Sequence, residues 1–533
     1  MKNALGAVAA GSKESAEAAA EVFRAGGNAA DAAIAAAFAA AAGDASIVSL
    51  AGGGVMVHRS AKSGECEAID FFATAPGKRG RRARRNDVNP ALDFHEVELE
   101  FGVGGAVQSF HVGRGAAAVP GVLPGLVSAH RRYGVLPIAD VLGPAVRALR
   151  EGTIIEAYQR QCLETLRPIL NLEREGREIF FDANGELLDV GERLRNPDLA
   201  KTLERIANEG FEAVHAEIEE AMFDEFGEDN GAWLTPKDLL EYRVDFGAPL
   251  TWEYAGAALY SMPLPALGGG FVQQSLELFR EADIASTEPG SAERIRRLTA
   301  AFRAVSEVRS GVERVLEQAD AAALFREEFR RRLAGSKTEG GGSEPSSFGN
   351  TTHISVVDRE GNAAGITMSH GEGCGHWLEG TGLHMNNILG EEDLFPDGVL
   401  KFDVGARLPT MMAPTVLVEA TGQITVLGSG GANRIRTVMA QVISALLDDG
   451  ATIEEAVRAG RIHVEAGKLS AETYALPGGE GTLDRARDLV DEVEPFDAPS
   501  LFFGGAHVVR RFANGELSGA GDPRRGGVAY VVE

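Results

Sequence analysis

A chain of 533 residues, 44% of them hydrophobic, is long enough to bury a large core. Its formal net charge of -26 excludes nucleic acid as a main partner, because phosphate binding needs a basic footprint. Three widely spaced cysteines, Cys66, Cys162 and Cys374, are too few for a disulfide framework and make no CxxC pair. With no HExxH either, no metal and no cofactor are expected.

The opening "MKNALGAVAAG" turns charged at Lys13 and Glu14 and makes no convincing secretory signal, so a cytoplasmic location is expected. The acidic, lysine-poor surface also fits a high-salt cytoplasm, where charge keeps protein soluble. Gly26-Gly27 separates two predicted helices. The second, the Ala-rich run Ala29 to Ala42, contains Asp31 and is too short to span a bilayer, so it predicts a buried helix. "SIVSLAGGGVMVHRS" and "CEAIDFF" predict strands, the first with glycines that permit close backbone approach. The arginine-rich stretch Lys78 to Arg85 predicts a solvated loop. "AVPGVLPGLVSAHRRYG" predicts a turn into a helix. From about residue 140 to 330 the pattern is mostly that of amphipathic helix, with Ser291 to Leu333 charged and helical. "SKTEGGGSEPSS" then has a composition that does not order itself, and it is the one candidate boundary. Beyond it come strands in "THISVVD", "AAGITMS" and "PTVLVEATGQITVLGSGG", and helices in "RIRTVMAQVISALLDD" and "TIEEAVRAGRIHV". The last strands are "AHVVRRFANGELSGAGD" and "GVAYVV".

The segment "TTHISVVDREGNAAGITMS" predicts a β-hairpin around the loop "DREGN". If Val357 pairs with Ala363, Thr351 stands opposite Ser369 at the open end, with side chains roughly 5 Å apart. A threonine hydroxyl is a poor nucleophile without a base. As the first residue of a chain, its own α-amine supplies one, with a pKa of about 7.7–8.0. That chemistry requires cutting the Asn350–Thr351 bond behind the flexible leader. The residues of this segment alone leave two readings open, an ordinary loop entering a hairpin and a self-cleaving one.

The whole chain resembles the γ-glutamyltransferase (γ-glutamyltranspeptidase) family of N-terminal-nucleophile hydrolases. The resemblance rests on an ordered series of segments: "AGGNAADAAIAAAFA", "GGGVMVHR", "AIDF", "VPGVLPGL", "LPALGGG", "TTHISVVDREGNAAGITMS", "GTGLHMNNILGEEDL", "RLPTMMAPTVL", "GSGGANRI" and "GAGDPRRGGVA". It implies an α+β fold, a four-layer αββα sandwich with two central sheets between helices. It also implies cleavage after Asn350 into a large subunit, 1–350, ending in a flexible leader at 335–350, and a small subunit, 351–533. The two subunits would remain one folded body. The nucleophile falls at Thr351 and the second, orienting hydroxyl at Ser369, with Thr352 helping to position the amine. The oxyanion hole falls on the backbone N–H groups of Gly431 and Ala432, where alanine serves as well as glycine because the donors are amides. Gly430-Gly431 also reads as a tight strand-to-helix turn. The implied activity is transfer or hydrolysis of a γ-glutamyl or related acyl group from glutathione-like amides, through an acyl-enzyme.

The departures from the family pattern concern substrate. The carboxylate-binding arginine after "DF" is replaced by Phe72, which makes no bidentate contact. The asparagine after the second hydroxyl becomes Gly371, beside His370. After Asn386-Asn387 the family's glutamine becomes Ile388, and its acidic residue falls at or beside Glu391. A Ser-Ser pair becomes Thr410 and Met411. Phe72, His370, Asn387, Glu391, Thr410 and Met411 are therefore the candidate substrate-binding positions. An acylase acting on a non-glutamyl amide, or an unprocessed relative that only binds a small amide or peptide, are the alternatives. Cys374, with no base at a telling spacing, reads as a bystander.

Overall fold

The structure, a computed structural model, describes residues 4–78, 92–100, 107–307, 350–395, 398 and 400–533. The arginine-rich stretch after Lys78, the helix expected beyond Glu307 and the leader up to Gly349 lie outside the described residues.

Thirteen strands build two central sheets: β1 (Gly6–Ala10), β2 (Gly53–Arg59), β3 (Cys66–Phe71), β4 (Asp245–Gly247), β5 (Leu250–Tyr254), β6 (Ala257–Ser261), β7 (Thr352–Asp358), β8 (Ala363–Ser369), β9 (Thr415–Glu419), β10 (Ile424–Gly430), β11 (Gly505–Arg511), β12 (Leu517–Ala520) and β13 (Val528–Val532). One sheet has the order β13-β1-β7-β8-β2-β3-β4, the other β12-β11-β10-β9-β6-β5. Each sheet mixes strands from before and after residue 350.

The strands are apolar on both faces, as sheets covered on both sides must be. On β1, Ala7 and Ala9 meet Val426 and Val509 of the second sheet in the core between the sheets. Val8 and Ala10 face the other way. There the first sheet is covered by α1 (Lys13–Arg24) and α2 (Ala29–Gly43). The second sheet is covered by α3 (Gly268–Glu281), α4 (Ala292–Glu307) and α5 (Arg434–Leu447), which contribute Phe271, Leu298 and Val438 to a third core. Helix, sheet, sheet, helix: this is the four-layer αββα sandwich expected from the resemblance.

Every residue of α2 is buried, which its run of small alanines permits. Its start is fixed by a capping box. The Asn28 side chain accepts from the Ala30 and Asp31 amides at 2.9 and 3.0 Å, and Asp31 accepts from the Asn28 amide at 3.1 Å. The "GGNAAD" motif is thus a helix start pressed against the hairpin, where Asp358 accepts from the Ala29 amide at 3.2 Å. The hairpin register matches the expectation: Val357 pairs with Ala363 and Thr352 with Met368, so Thr351 and Ser369 continue the ladder.

The segment from 140 to 330 differs from its reading as mostly helix. It holds β4, β5 and β6 between its helices. Leu250–Tyr254 and Ala257–Ser261 are short edge-side strands joined by a two-residue turn, with Ala255 at φ 46° and Gly256 at φ 82°. Alternating burial was the available signal, and the surrounding helical periodicity masked it. The opening "GAVAA" is also a strand, β1, central enough to be flanked on both sides.

Candidate active site

Thr351 lies at the N-terminal edge of β7, in the middle of the first sheet, where the two sheets meet. It is 6% exposed, and Asn350 before it is 9% exposed. The two are joined by a peptide bond, so the geometry is that of the uncut chain. The Ser369 hydroxyl donates to the Asn350 carbonyl oxygen in a short hydrogen bond. It accepts in turn from the Gly371 amide at 3.0 Å, which fixes its lone pair and frees its proton for the carbonyl. A hydroxyl aimed at the carbonyl of the bond expected to be cut would polarise it and stabilise an oxyanion formed there. Ser369 and Thr351, placed opposite each other by register, are therefore brought to the same peptide unit.

The second sheet closes the site from the other side. A Cβ placed on Gly430 would lie 1.9 Å from the Thr351 carbonyl oxygen, so the end of β10 is in contact with the Thr351 backbone. The chain then turns through Gly431, at φ 118°, and Ala432, at φ 44°, into α5. A Cβ at Gly431 would lie 2.9 Å from the Gly504 Cα. Ala432 holds a left-handed conformation that costs a non-glycine residue roughly 1–2 kcal/mol. Gly430→Ala should therefore push β10 away from Thr351, lowering stability by about 1–3 kcal/mol and slowing self-cleavage. Thermal unfolding and a denaturing gel read the two effects, and a variant that cuts at the wild-type rate would contradict the contact.

His353, the third residue of "Thr-Thr-His", is buried between the sheets. Its ring bonds Thr367 Oγ1 and Ser355 Oγ, each at 2.8 Å, and fills the space left by Gly428. Burial holds its pKa well below the ordinary histidine value, so it is a neutral packing group.

The substrate-binding candidates divide. Phe72 is buried in the core between the sheets, its ring against Gly53 and its carbonyl accepting from Tyr242 at 3.0 Å. His370 is fully buried and meets His384 at 3.2 Å, and burial lowers its pKa to about 4. Asn387 is fully buried, accepting from the Glu372 amide at 2.8 Å and donating to the His111 carbonyl at 3.3 Å. Thr410 caps the Met412 amide at 3.3 Å, and Met411 is 6% exposed with its carbonyl against Gly268. Glu391 is half-buried, and its carboxylate would meet a Cβ on Gly371 at 2.7 Å. Gly371, at φ 68°, stands within three residues of Thr351's partner hydroxyl, so Glu391 is the charged candidate that reaches this end of β8. Cys374 is buried, its thiol pushed up by burial. A cavity of about 250 Å³, lined by Leu50, Val119, Leu123, Ile218, Met222 and Tyr242 among others, includes none of these hydroxyls.

Three groups around Thr352, Gly430 and the closing loop were not among the expected site residues. Asp44, the C-cap of α2, accepts from the Thr352 hydroxyl at 3.0 Å. Arg525 lies in the closing "GAGDPRRGGVA", with Nη1 at 3.4 Å from the position of a Gly430 Cβ. A buried ion cluster holds that closing loop: Arg461 pairs with Asp522 at 2.5 Å, and Arg524 with Glu472 at 2.6 Å. A charged residue directly after an apolar helix, and paired arginines beside glycines, were the signals in the chain.

A family model described as γ-glutamyltranspeptidase matches residues 15–532. The chain is 29% identical over 534 residues to the acylase ACY 1 proenzyme of Pseudomonas sp. (strain V22), covering 96% of this chain and 91% of that one. It is 28% identical over 538 residues to the glutathione hydrolase proenzyme of Escherichia coli (strain K12), covering 95% and 88%. Among solved structures, the cephalosporin acylase from Bacillus halodurans superposes with a TM-score of 0.78 at 21% identity, covering 99% of this chain and 96% of that chain, which shows a common fold. The chain belongs to the γ-glutamyltranspeptidase family and is an enzyme of the N-terminal-nucleophile hydrolase type.

Proposed function

We propose that this chain is a precursor that cuts itself between Asn350 and Thr351 and then acts as an amidohydrolase on acyl amides whose acyl group is not clamped as a glutamyl group. In the first step the Thr351 hydroxyl adds to the Asn350 carbonyl, the C–N bond breaks, and the freed nitrogen takes the proton to become the α-amine. Water hydrolyses the resulting ester, leaving Asn350 as a carboxylate and Thr351 as a chain start. In turnover the α-amine accepts the hydroxyl proton, Thr351 adds to the substrate amide, and the leaving amine departs with that proton. Water or an acceptor amine releases the acyl group. The Gly431 and Ala432 amides are assigned to the oxyanion of this second reaction. The mature enzyme is then a heterodimer of residues 1–350 and 351–533.

One observation carries the substrate reading: Phe72 stands in the core at the position where a carboxylate-binding arginine is expected. A free carboxylate brought there without a partner costs several kcal/mol. Ile388, also fully buried, removes a second polar contact. The similarity to a chain named as an acylase proenzyme supports the same reading. A γ-glutamyl donor remains the second reading, favoured by the Glu391 carboxylate beside Gly371, which suits an ammonium group.

A panel of p-nitroanilides separates the two. Apolar acyl anilides should exceed the γ-glutamyl anilide in kcat/KM by about a hundredfold, since a site lacking the polar partners of a substrate loses that much discrimination. A γ-glutamyl anilide turned over as fast as the others would return the assignment to glutathione-like donors.

A further inference from the structure

We propose that Asp44 is a positioning residue for self-cleavage, acting through the Thr352 hydroxyl; this rests on Thr351 being the cleaving residue. Asp44 is 3% exposed and ends α2, where the helix dipole is negative and disfavours a carboxylate. It has nonetheless been placed against the first turn of chain after the bond to be cut. Thr352 Oγ1 donates to Asp44 Oδ2 at 3.0 Å. The same two atoms crowd the Cα of Gly11: a Cβ there would lie 2.6 Å from the hydroxyl and 3.1 Å from the carboxylate. Only glycine leaves room for the pair. Strand parity explains the arrangement. Thr352 points toward the helix layer, while Thr351 points toward the second sheet, so a grip on Thr352 fixes the peptide that joins them without blocking the nucleophile.

The charged and titratable groups facing Asp44 come from several elements. Glu14 of α1 and Arg525 of the closing loop act on it through space, with opposite signs. Tyr158 and Cys162 of one helix are both held neutral by burial, their pKa values raised. His507 of β11 is neutral as well, its pKa lowered by burial to about 4, and its Nε2 would be 3.6 Å from the Gly11 Cβ. Glu14 is raised by burial. Burial pushes Asp44 itself up to about 7, against the pull of Thr352 and Arg525. When ionised, Asp44 commits the Thr352 proton to one direction. When protonated, it becomes a donor and releases that hold.

Self-cleavage is the reaction that isolates this effect. Before the cut, the Thr351 nitrogen is an amide and does not titrate near neutrality. A group with its midpoint near 7 is about one-tenth ionised at pH 6 and about nine-tenths at pH 8. The cleavage rate of the full chain should therefore rise roughly tenfold over that interval.

The test uses full-length chain made by cell-free translation, with synthesis stopped and the pH shifted, and cleavage followed on a denaturing gel. Asp44→Asn keeps an acceptor but does not titrate, so it should cut at a rate that no longer changes between about pH 6 and 8. Thr352→Val should lose the same step with the carboxylate intact, and Thr352→Ser should restore it. Cleavage by Asp44→Asn that keeps the wild-type step, or a wild-type rate flat with pH, would overturn the role of Asp44. So would a step preserved in Thr352→Val, which serves alone if Asp44→Asn does not fold. If wild-type chain gives a fragment starting at a residue other than Thr351, the reading of the nucleophile fails as well, and sequencing the fragment tells the two failures apart.

Discussion

Thr351→Ala should run as one uncut chain on a denaturing gel and show no amidase activity above background, a loss of at least about a millionfold in rate for an enzyme whose covalent chemistry passes through a single group. The reason is that in the proposed mechanism one oxygen performs both steps. It adds to the Asn350 carbonyl during maturation, and afterwards it carries the acyl group. Thr351→Ser, which keeps the oxygen and loses only the methyl group, should cut and turn over more slowly. Cleavage in Thr351→Ala, or activity in a chain that stays whole, would remove the basis of the proposed mechanism. The alanine itself is tolerated structurally, since the site around Thr351 is backbone and small residues: Gly430 against its carbonyl, Asn350 before it. A folded, uncut variant is thus the expected state, and a circular dichroism spectrum like that of the wild type would show it.

Ser369→Ala should slow self-cleavage by about 10²–10³-fold, the usual effect of removing one donor from a developing oxyanion. Its hydroxyl donates to the Asn350 carbonyl. The Gly371 amide that now donates to Ser369 would then be left with no side-chain acceptor, which adds a stability cost of about 1–3 kcal/mol. Ser369→Thr keeps the hydroxyl and should retain most of the cleavage rate. An alanine variant that matures at the wild-type rate would show that the contact with the scissile carbonyl is incidental. The two predictions differ in kind: Thr351→Ala stops the reaction, whereas Ser369→Ala leaves a slow cut that long incubation reveals.

The hairpin was legible because its information is local. Alternating apolar residues on either side of "DREGN" set a register, and the register alone puts position 351 opposite 369. The buried helix Ala29–Gly43 and the helix after "GSGGAN" were legible for the same reason: their composition and the glycines before them are contiguous in the chain. The resemblance of ordered segments added the layer architecture and the expected site of cutting. Strands β5 and β6 were not legible. Their alternation is weaker than the helical periodicity around them, and what makes them strands is the pairing of β6 with β9, about 160 residues further on, and of β5 with β6.

The sequence by itself set Thr351 opposite Ser369 and fixed the residue types at the candidate substrate positions, because each depends on a short segment or an ordered motif. The tertiary structure alone decided that Ser369 turns its proton to the Asn350 carbonyl, that Phe72, His370 and Asn387 are buried while Glu391 stands half-buried beside Gly371, and that Asp44 grips Thr352 across 308 positions of chain. Contacts of that span are set by how whole layers stack, and no window of sequence contains both partners.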